Sequence, residues 1–205
     1  MKVIIADKSH TTYAQLICDT IAESAKDRGT GIAKRTPEYI ASKIENGNAV
    51  IALDKDIFVG FCYIESWGHG KFVANSGLII HPNYRGKGFA KKIKQKIFEH
   101  SRNKFPKAKI FSITTGLAVM KMNSDLGYKP VTFSELTDDQ SFWKGCQTCI
   151  NYDVLTRTKQ KMCLCTGMLY DPKEKKQEEK SNFNKKVWKR LKNIKQVKFL
   201  KKENK

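Results

Sequence analysis

The stretch from Ala74 to Phe98 constrains the fold of this chain more than any other part of it. Leu78-Ile79-Ile80 predicts a short buried strand, and His81-Pro82-Asn83 interrupts that apolar run. A loop with two glycines follows, and after it apolar residues recur at helical spacing up to Phe98. The chain therefore runs here from a strand through a glycine-bearing loop into a helix.

The loop is suited to bind an anion. Gly86 and Gly88 lack side chains, so an anionic group can approach their backbone N–H groups closely. The helix that follows favours negative charge at its N-terminus. A basic surface turn would explain Arg-Gly-Lys-Gly alone, but the strand before it and the helix behind it favour a loop that binds diphosphate.

The residues Arg85-Gly86-Lys87-Gly88-Phe89-Ala90 fit the pattern R/Q-x-x-G-x-G/A, which resembles the acyl-coenzyme A loop of the GNAT superfamily of N-acetyltransferases. The resemblance implies acetyl-CoA or succinyl-CoA as the co-substrate. Backbone N–H groups at the end of the preceding strand can hold the thioester carbonyl. The residues expected to contact the cofactor are Ile79, Ile80, His81, Arg85, Gly86, Lys87, Gly88, Phe89 and Ala90.

The remaining patterns agree with a mixed sheet that carries helices on both faces, which is an α/β architecture of the GNAT type. Helical spacing of apolar residues predicts helices after the first strand, after Pro37 and over Thr115–Gly127. Besides the central strand, the β-rich runs that predict strands are Val3–Ile5, Ala49–Leu53, Ile57–Ile64, Lys109–Thr114, Val131–Phe133 and Tyr152–Leu155.

A chain of 205 residues is long enough for one such domain and a modest extension. We expect the acyltransferase domain over residues 1–156 and a cysteine-containing extension over residues 157–171. Residues 172–205 form a lysine-rich tail, in which Asn184–Leu200 has the spacing of a basic amphipathic helix. The apolar run within Met1–Asp7 is too short for a signal peptide, and no stretch reaches the ~20 apolar residues of a transmembrane helix, which predicts a cytoplasmic protein.

The net charge of +19 is shared between the tail and the rest of the chain. From Asp171 onward there are 14 Lys or Arg against five Asp or Glu. Such a balance suits coenzyme A, anionic substrates, nucleic acid or an anionic membrane surface, and does not choose between them. We expect acyl-CoA and a small amino acid as partners. Contact of the tail with nucleic acid or a membrane, and a homodimer, are left open.

Four of the six cysteines form a second pattern. Cys146 and Cys149 make a C-x-x-C pair, and Cys163 and Cys165 follow 13 residues later as C-x-C. Four thiolates at such spacings can complete a tetrahedral site, so we expect a structural zinc ion. The alternatives are a redox pair or unrelated buried cysteines, whereas disulfides are uncommon in the cytoplasm.

Acyl transfer to an amine requires a general base, because an ammonium group has no lone pair. Glu65 and His69 are candidates, since both fall at the turn from the third strand into the central one. The resemblance places the acid that protonates the departing thiolate at Asn123, where the family commonly has a tyrosine. Asparagine is not an acid, so solvent, Tyr128 or Tyr84 remain open for that role.

The loop from Arg28 to Arg35 is basic, and Arg28, Lys34 and Arg35 are candidates to pair the carboxylates of an acceptor. A solvated connection is the alternative. The stretches RGTGIAKR, YIESWGHGKFVANSG, TTGLAVMK and ELTDDQSFWKGC resemble short stand-alone bacterial N-acyltransferases of arginine biosynthesis. This resemblance implies acylation of the α-amine of glutamate. The alternatives are a protein or polyamine amine as acceptor, and a non-enzymatic RNA-binding module that uses the tail.

Overall fold

The computed structural model describes residues 1–28, 34–174 and Lys185. It divides into two compact units, Met1–Tyr170 and Asp171–Lys205. The predicted tail helix, Asn184–Leu200, belongs to the second unit and lies, apart from Lys185, outside the described residues. Among the described residues, no helix is both long and apolar enough to cross a membrane.

Strands and helices of the first unit follow one another as the sequence patterns predict as far as residue 125. The strands are β1 (Lys2–Ile5), β2 (Ala49–Asp54), β3 (Ile57–Trp67), β4 (Phe72–Ile80), β5 (Lys109–Thr114), β6 (Lys129–Val131) and β7 (Thr166–Tyr170). The helices are α1 (Ala14–Arg28), α2 (Pro37–Glu45), α3 (Phe89–Lys104), α4 (Leu117–Asp125), α5 (Gln140–Lys144) and α6 (Tyr152–Arg157). Short 3-10 turns lie at Lys8–Tyr13, Pro82–Tyr84 and Phe133–Glu135.

The seven strands form one mixed sheet in the order β1-β2-β3-β4-β5-β7-β6. All neighbouring strands run antiparallel except β4 and β5, which are parallel because α3 crosses between them. This mixed sheet confirms the predicted α/β architecture.

Helices cover both faces of the sheet. Successive residues of β2 alternate between two apolar clusters, as the two-residue period of a strand requires. One cluster contains Ile17, Ile21, Ile40 and Ile44 of α1 and α2, and the other contains Ile93 and Ile97 of α3. Both clusters are fully buried, so they supply most of the apolar burial that stabilises the unit.

The strands β4 and β5 separate part-way along their length. Their pairing covers only Phe72↔Lys109, Val73↔Ile110 and Ala74↔Phe111. Beyond that point residues 75–80 of β4 have no partner on the β5 side in the described part of the chain, and residues 112–114 of β5 pair only with β7. We call this opening the split; its apex lies at Ala74.

The C-terminal part of the unit differs from the prediction. Tyr152–Leu155, predicted as a strand, belongs to helix α6, and β7 fills the place of the last strand between β5 and β6. Tyr152 and Leu155 are three residues apart, which suits one face of a helix as well as it suits a strand. The predicted strand Val131–Phe133 ends at Val131, because Thr132 and Glu135 form a capping box that starts a 3-10 turn.

Candidate active site

A cavity of about 580 Å³ opens at the split. Residues Asn75–Leu78 of β4 line one side, and Ser112–Thr114 of β5 with the start of α4 line the other. Because β4 makes no ladder hydrogen bonds on this side, its backbone is available to a ligand that enters the split.

The glycine-bearing loop of residues 85–88, predicted to bind diphosphate and called the phosphate loop below, leads directly into α3, as predicted. Gly88 is the N-cap residue with a φ of +80°, and no side chain caps the helix. Gly86 has a φ of +75°, and a Cβ atom added at either glycine would meet nothing within 4 Å. The first N–H groups of a helix of 16 residues therefore face open space, and the first turn contains no acidic residue that would repel an anion.

The side chain of Arg85 turns away from the loop and towards α1. Its Nη2 donates to Ser24 Oγ at 2.8 Å, and its Nη1 lies 3.6 Å from Asp27 Oδ2. Lys87 Nζ donates to the Asn83 carbonyl oxygen at 3.0 Å. These contacts fix the loop on the domain and leave anion binding mainly to backbone N–H groups.

At the end of β4 the backbone groups alternate between β3 and the split. The His81 N–H donates to the Val59 carbonyl oxygen at 2.9 Å, so it is committed to the sheet. Neighbouring residues of a strand point their N–H groups to opposite sides, which turns the Ile80 N–H towards the split. Ile79 is paired with Phe61 of β3 and is 1% exposed. Of the three predicted strand-end contacts, Ile80 is therefore the best placed for a ligand.

Arg35 and Glu65 line the cavity together, held by two tyrosines. Arg35 Nε donates to Tyr63 Oη at 2.7 Å, and its Nη1 donates to the Lys34 carbonyl oxygen at 3.0 Å. In the described part of the chain, Arg35 Nη2 has no hydrogen-bond partner. The Tyr39 hydroxyl donates to Glu65 Oε1, and the Arg35 guanidinium lies 5.4 Å from the centre of the Tyr39 ring.

Both tyrosines keep their protons. Burial, and then the negative charge of Glu65, raise the pKa of Tyr39 far above its ordinary value. The same two causes raise the pKa of Tyr63. The Tyr39 O–H therefore remains a donor to the Glu65 carboxylate, and the Tyr63 hydroxyl keeps its proton while its oxygen accepts from Arg35. Arg35 and Glu65 thus present one positive and one negative charge to the cavity. The arrangement can accept an ammonium group and a carboxylate of one small molecule side by side.

The other predicted residues lie elsewhere. His69 is exposed in the turn between β3 and β4, with a φ of +54°, and does not line the cavity. Asn123 is fully buried and does not line the cavity, and in the described part of the chain neither polar atom of its side-chain amide has a hydrogen-bond partner. Lys34 is exposed and its backbone N–H donates to Thr148 Oγ1 at 3.2 Å. Arg28 ends α1, and its side chain lies outside the described part.

Three residues of the site were not predicted: Tyr39, Tyr63 and Lys94. Tyr63 lies two residues before Glu65, and the period of a strand places both side chains on one face. Lys94 follows Ile93 and precedes Ile97 by three residues, so helical spacing puts it near the buried face of α3. The signals were present, but a tyrosine in a strand and a lysine in a basic helix usually indicate nothing more than packing or solvation.

The four cysteines of the C-x-x-C and C-x-C pairs line the same cavity. Burial, and then the charges of Cys149 and Cys163, raise the pKa of Cys146 to about 11. Burial and the other three thiols raise the pKa of Cys165 to about 12. Within the described residues, however, no group of three or more His, Cys, Asp or Glu side chains is arranged to hold a metal ion. The predicted zinc site is therefore not supported.

The model of the Acetyltransferase (GNAT) family matches residues 17–121, just over half of the chain. This span includes the phosphate loop, the split and the pair Arg35 and Glu65. No curated protein sequence matches the chain significantly.

Solved structures share the fold at low sequence identity. The N-acetylglutamate synthase from Neisseria gonorrhoeae, complexed with coenzyme A and N-acetyl-glutamate, has a TM-score of 0.60 at 13% identity. That comparison covers 83% of this chain but only 34% of the synthase, so this chain spans about a third of its length. Rv2747 from Mycobacterium tuberculosis, in complex with CoA and NLQ, has a TM-score of 0.58 at 14% identity and covers 83% and 99% of the two chains. The phosphinothricin acetyltransferase from Sinorhizobium meliloti, in complex with AcCoA, has a TM-score of 0.55 at 14% identity and covers 83% and 87%.

Proposed function

Since this chain belongs to the acetyltransferase (GNAT) family, we propose that it is an acyl-CoA-dependent N-acyltransferase whose acceptor is a small anionic amino acid, glutamate in the first place. The observation that carries this proposal is that Arg35 and Glu65, each held by a tyrosine, both line the cavity at the split. Structural neighbours with bound CoA or acetyl-CoA support the co-substrate.

The charges of the cavity favour an anionic acceptor. Among the described residues that line it, Glu65 is the one carboxylate, while Arg35 and Lys94 are cations. A dicarboxylate that leaves water must have its charges met by donors. Arg35 Nη2 can donate a charge-assisted hydrogen bond to a carboxylate. A polyamine would instead require several acidic groups, and the described residues of the wall supply only Glu65.

Each step of acyl transfer has a group near the split. Glu65 can accept the proton that the acceptor ammonium must lose before it attacks. The neutral amine then attacks the thioester carbonyl carbon, and the developing negative charge on oxygen meets the backbone N–H groups on the open side of β4. As the C–S bond breaks, the nitrogen gives its second proton to water and the amide forms. The coenzyme A thiolate takes a proton from solvent, and the proton on Glu65 returns to solvent, so that one proton is released overall.

The identity of the acceptor rests on two supports of different kinds. The positive charge of Arg35 in the cavity wall indicates that the acceptor is anionic. Glutamate itself is suggested by the resemblance to enzymes of arginine biosynthesis and by the N-acetyl-glutamate bound to the synthase from Neisseria gonorrhoeae. A role in arginine biosynthesis is part of the same proposal.

An activity matrix tests the proposal. Acetyl-CoA and succinyl-CoA are each combined with glutamate, glutamine, ornithine, lysine, spermidine and a peptide, and free thiol release is measured. We expect glutamate to be acylated fastest, and glutamine to be slower because it lacks the second carboxylate. Faster acylation of lysine, spermidine or the peptide would reject the anionic acceptor and leave the acyltransferase class standing.

A variant of Arg35 assigns the acceptor to this site. Arg35→Ala should raise the KM for glutamate roughly tenfold or more and lower kcat much less, because binding is lost equally in the ground and transition states. The affinity for acyl-CoA, measured by calorimetry, should stay the same. Arg102→Ala, which removes an arginine of α3 that does not line the cavity, is the control.

A further inference from the structure

Lys94 is a buried cation in the wall of the cavity. The residue is 1% exposed, although it belongs to a helix whose other lysines reach solvent at least in part. Its Nζ lies 5.2 Å from the centre of the Tyr128 ring. Lysine is almost never fully buried unless a partner neutralises it, so the surroundings of this ammonium group decide what it does.

The groups around Lys94 are neutral and mostly paired with one another. Tyr128 Oη donates to Asn75 Oδ1 at 3.0 Å, and Asn75 Nδ2 donates to Ser101 Oγ at 2.7 Å. Burial raises the pKa of the Cys62 thiol to about 11, and that of the Tyr128 hydroxyl as well, so both stay protonated at neutral pH. In the described part of the chain, no carboxylate forms an ion pair with Lys94.

Burial lowers the pKa of Lys94 to about 8, with the Cys62 thiol opposing that change. At neutral pH the side chain is therefore still mostly charged. An ammonium group that is charged, buried and without a counter-ion is costly, and the cost falls when an anion enters the cavity beside it.

Lys94 lies at the apex of the split. The Cys62 thiol, its electrostatic neighbour, donates to the Ser76 carbonyl oxygen at 3.2 Å, one residue beyond Asn75. The phosphate loop lies at the opposite end of β4, after Ile80. A donor whose diphosphate binds at the loop and whose thioester arm runs down the split presents its acyl group to the apex.

The two cations of the cavity lie on different faces of the sheet. Tyr63, the partner of Arg35, belongs to the cluster under α1 and α2, whereas Tyr128, the partner of Lys94, belongs to the cluster under α3. A carboxylate of the acceptor at Arg35 and a carboxylate of the donor at Lys94 would not compete for one cation.

We propose that Lys94 binds the terminal carboxylate of an ω-carboxyacyl group, so that the donor is succinyl-CoA or another thioester of the same dicarboxylic class rather than acetyl-CoA. This inference rests on the proposed acyltransferase function and names the donor class of that same site. An acetyl group has no charge to offer and leaves the ammonium group unpaired.

Binding of thioesters, measured by calorimetry without acceptor, tests the inference. Butyryl-CoA has an acyl chain of four carbons like succinyl-CoA but no carboxylate, so it is the matched probe. The wild-type protein should bind succinyl-CoA about tenfold or more tightly than butyryl-CoA, as a charge-assisted hydrogen bond implies. Lys94→Met should abolish that preference and change acetyl-CoA binding by less than about threefold.

Lys96→Met makes the same substitution two residues along α3, outside the cavity lining, and should preserve the preference. Circular dichroism confirms the fold of each variant, and Lys94→Gln replaces Lys94→Met if the latter does not fold.

Equal binding of succinyl-CoA and butyryl-CoA by the wild-type protein would overturn the inference without any variant. An equal loss of all thioesters in a folded Lys94→Met would also overturn it, because it would make Lys94 a packing residue. Failure of the wild type to bind any of the thioesters would remove the proposed function together with the inference.

Discussion

Glu65 is the residue whose proposed role can be tested most directly by a single substitution. It is half-buried at the end of β3 and accepts a hydrogen bond from the Tyr39 hydroxyl. A carboxylate held in this way keeps its position while a proton moves to it, which is what a general base requires. In the proposed mechanism, Tyr39 would orient the base and keep its own proton.

Glu65→Gln should lower kcat about 10²- to 10⁴-fold at neutral pH, because the amide keeps the shape of the side chain but cannot accept the proton. The deficit should shrink as the pH rises, since more of the acceptor amine is then already neutral. A pH profile of kcat for the wild type and the variant measures this. Glu45→Gln, on the exposed end of α2, is the control, and a Glu65→Gln enzyme as fast as the wild type at neutral pH would remove Glu65 from this role.

The absence of a side chain at Gly77 leaves room for the ring of Tyr63, which accepts a hydrogen bond from Arg35. The glycine has a φ of +65°, and a Cβ atom there would lie 2.3 Å from Cε1 of the Tyr63 ring. Gly77→Ala therefore forces the ring to move, adding a steric cost of about 1–3 kcal/mol to the strain of the backbone. Gly47 has a φ of +59° with nothing within 4 Å, so Gly47→Ala measures the strain alone. Urea unfolding should show the larger loss for Gly77→Ala, together with a raised KM for glutamate; equal losses would show that Tyr63 yields freely.

Among the elements, α3 contributes twice to the site. Its N-terminus presents uncapped N–H groups to the donor, and its buried face carries Lys94 to the apex of the split. The helix can do both because Ile93 and Ile97 anchor it against the sheet. One rigid helix thus fixes the distance between the glycine loop and Lys94, the two proposed contacts of the donor.

Gly88→Glu should abolish acyl-CoA binding and leave the fold intact. A Cβ atom at this position would meet nothing within 4 Å, so the cost to folding is limited to the strain of a side chain at positive φ. The negative charge of the glutamate should repel a diphosphate at the helix N-terminus. Calorimetry with coenzyme A measures the loss. Gly47→Glu places the same side chain at a similar backbone angle in an open turn away from the site. Unchanged affinity in a folded Gly88→Glu variant would contradict the assignment of the loop.

The sequence predicts local elements better than it predicts the ends of the sheet. The strand, loop and helix from Ala74 to Phe98 are confirmed because two hydrophobic periods and two glycines agree there. The last strand was missed because Thr166–Tyr170 is short and its pairing with β5 and β6 joins residues far apart in the chain. The cavity lies beyond any local pattern, because Arg35, Glu65 and Lys94 come from three elements that only the tertiary fold brings together.

At the scale of the whole molecule, the buried charge of Lys94 should be visible in the stability. The pKa of Lys94 is about 8 in the folded protein, against an ordinary value of 10.5. Between these pH values the Lys94 side chain is therefore protonated more often in the unfolded chain than in the folded one. Stability should therefore rise with pH from about 8 to 10.5, by on the order of 3 kcal/mol, relative to Lys94→Met. The difference in unfolding free energy between the two proteins, measured by urea at several pH values, isolates this group from the tyrosines and cysteines that titrate nearby. A difference that does not vary with pH would show that Lys94 is not buried as a charge.

The split also leaves the backbone of β4 incompletely hydrogen-bonded within the sheet. An inner strand of a sheet is normally hydrogen-bonded to a neighbour on each side. In the described part of the chain, residues 75–80 of β4 have no strand partner on the β5 side. In the proposed complex, the thioester arm of the donor would take the place that a neighbouring strand occupies in a continuous sheet. A ligand that binds only the folded chain stabilises it, so the free energy of unfolding should rise with the concentration of acyl-CoA. Under the proposed function, the folded fraction of the protein would then follow the supply of its acyl donor.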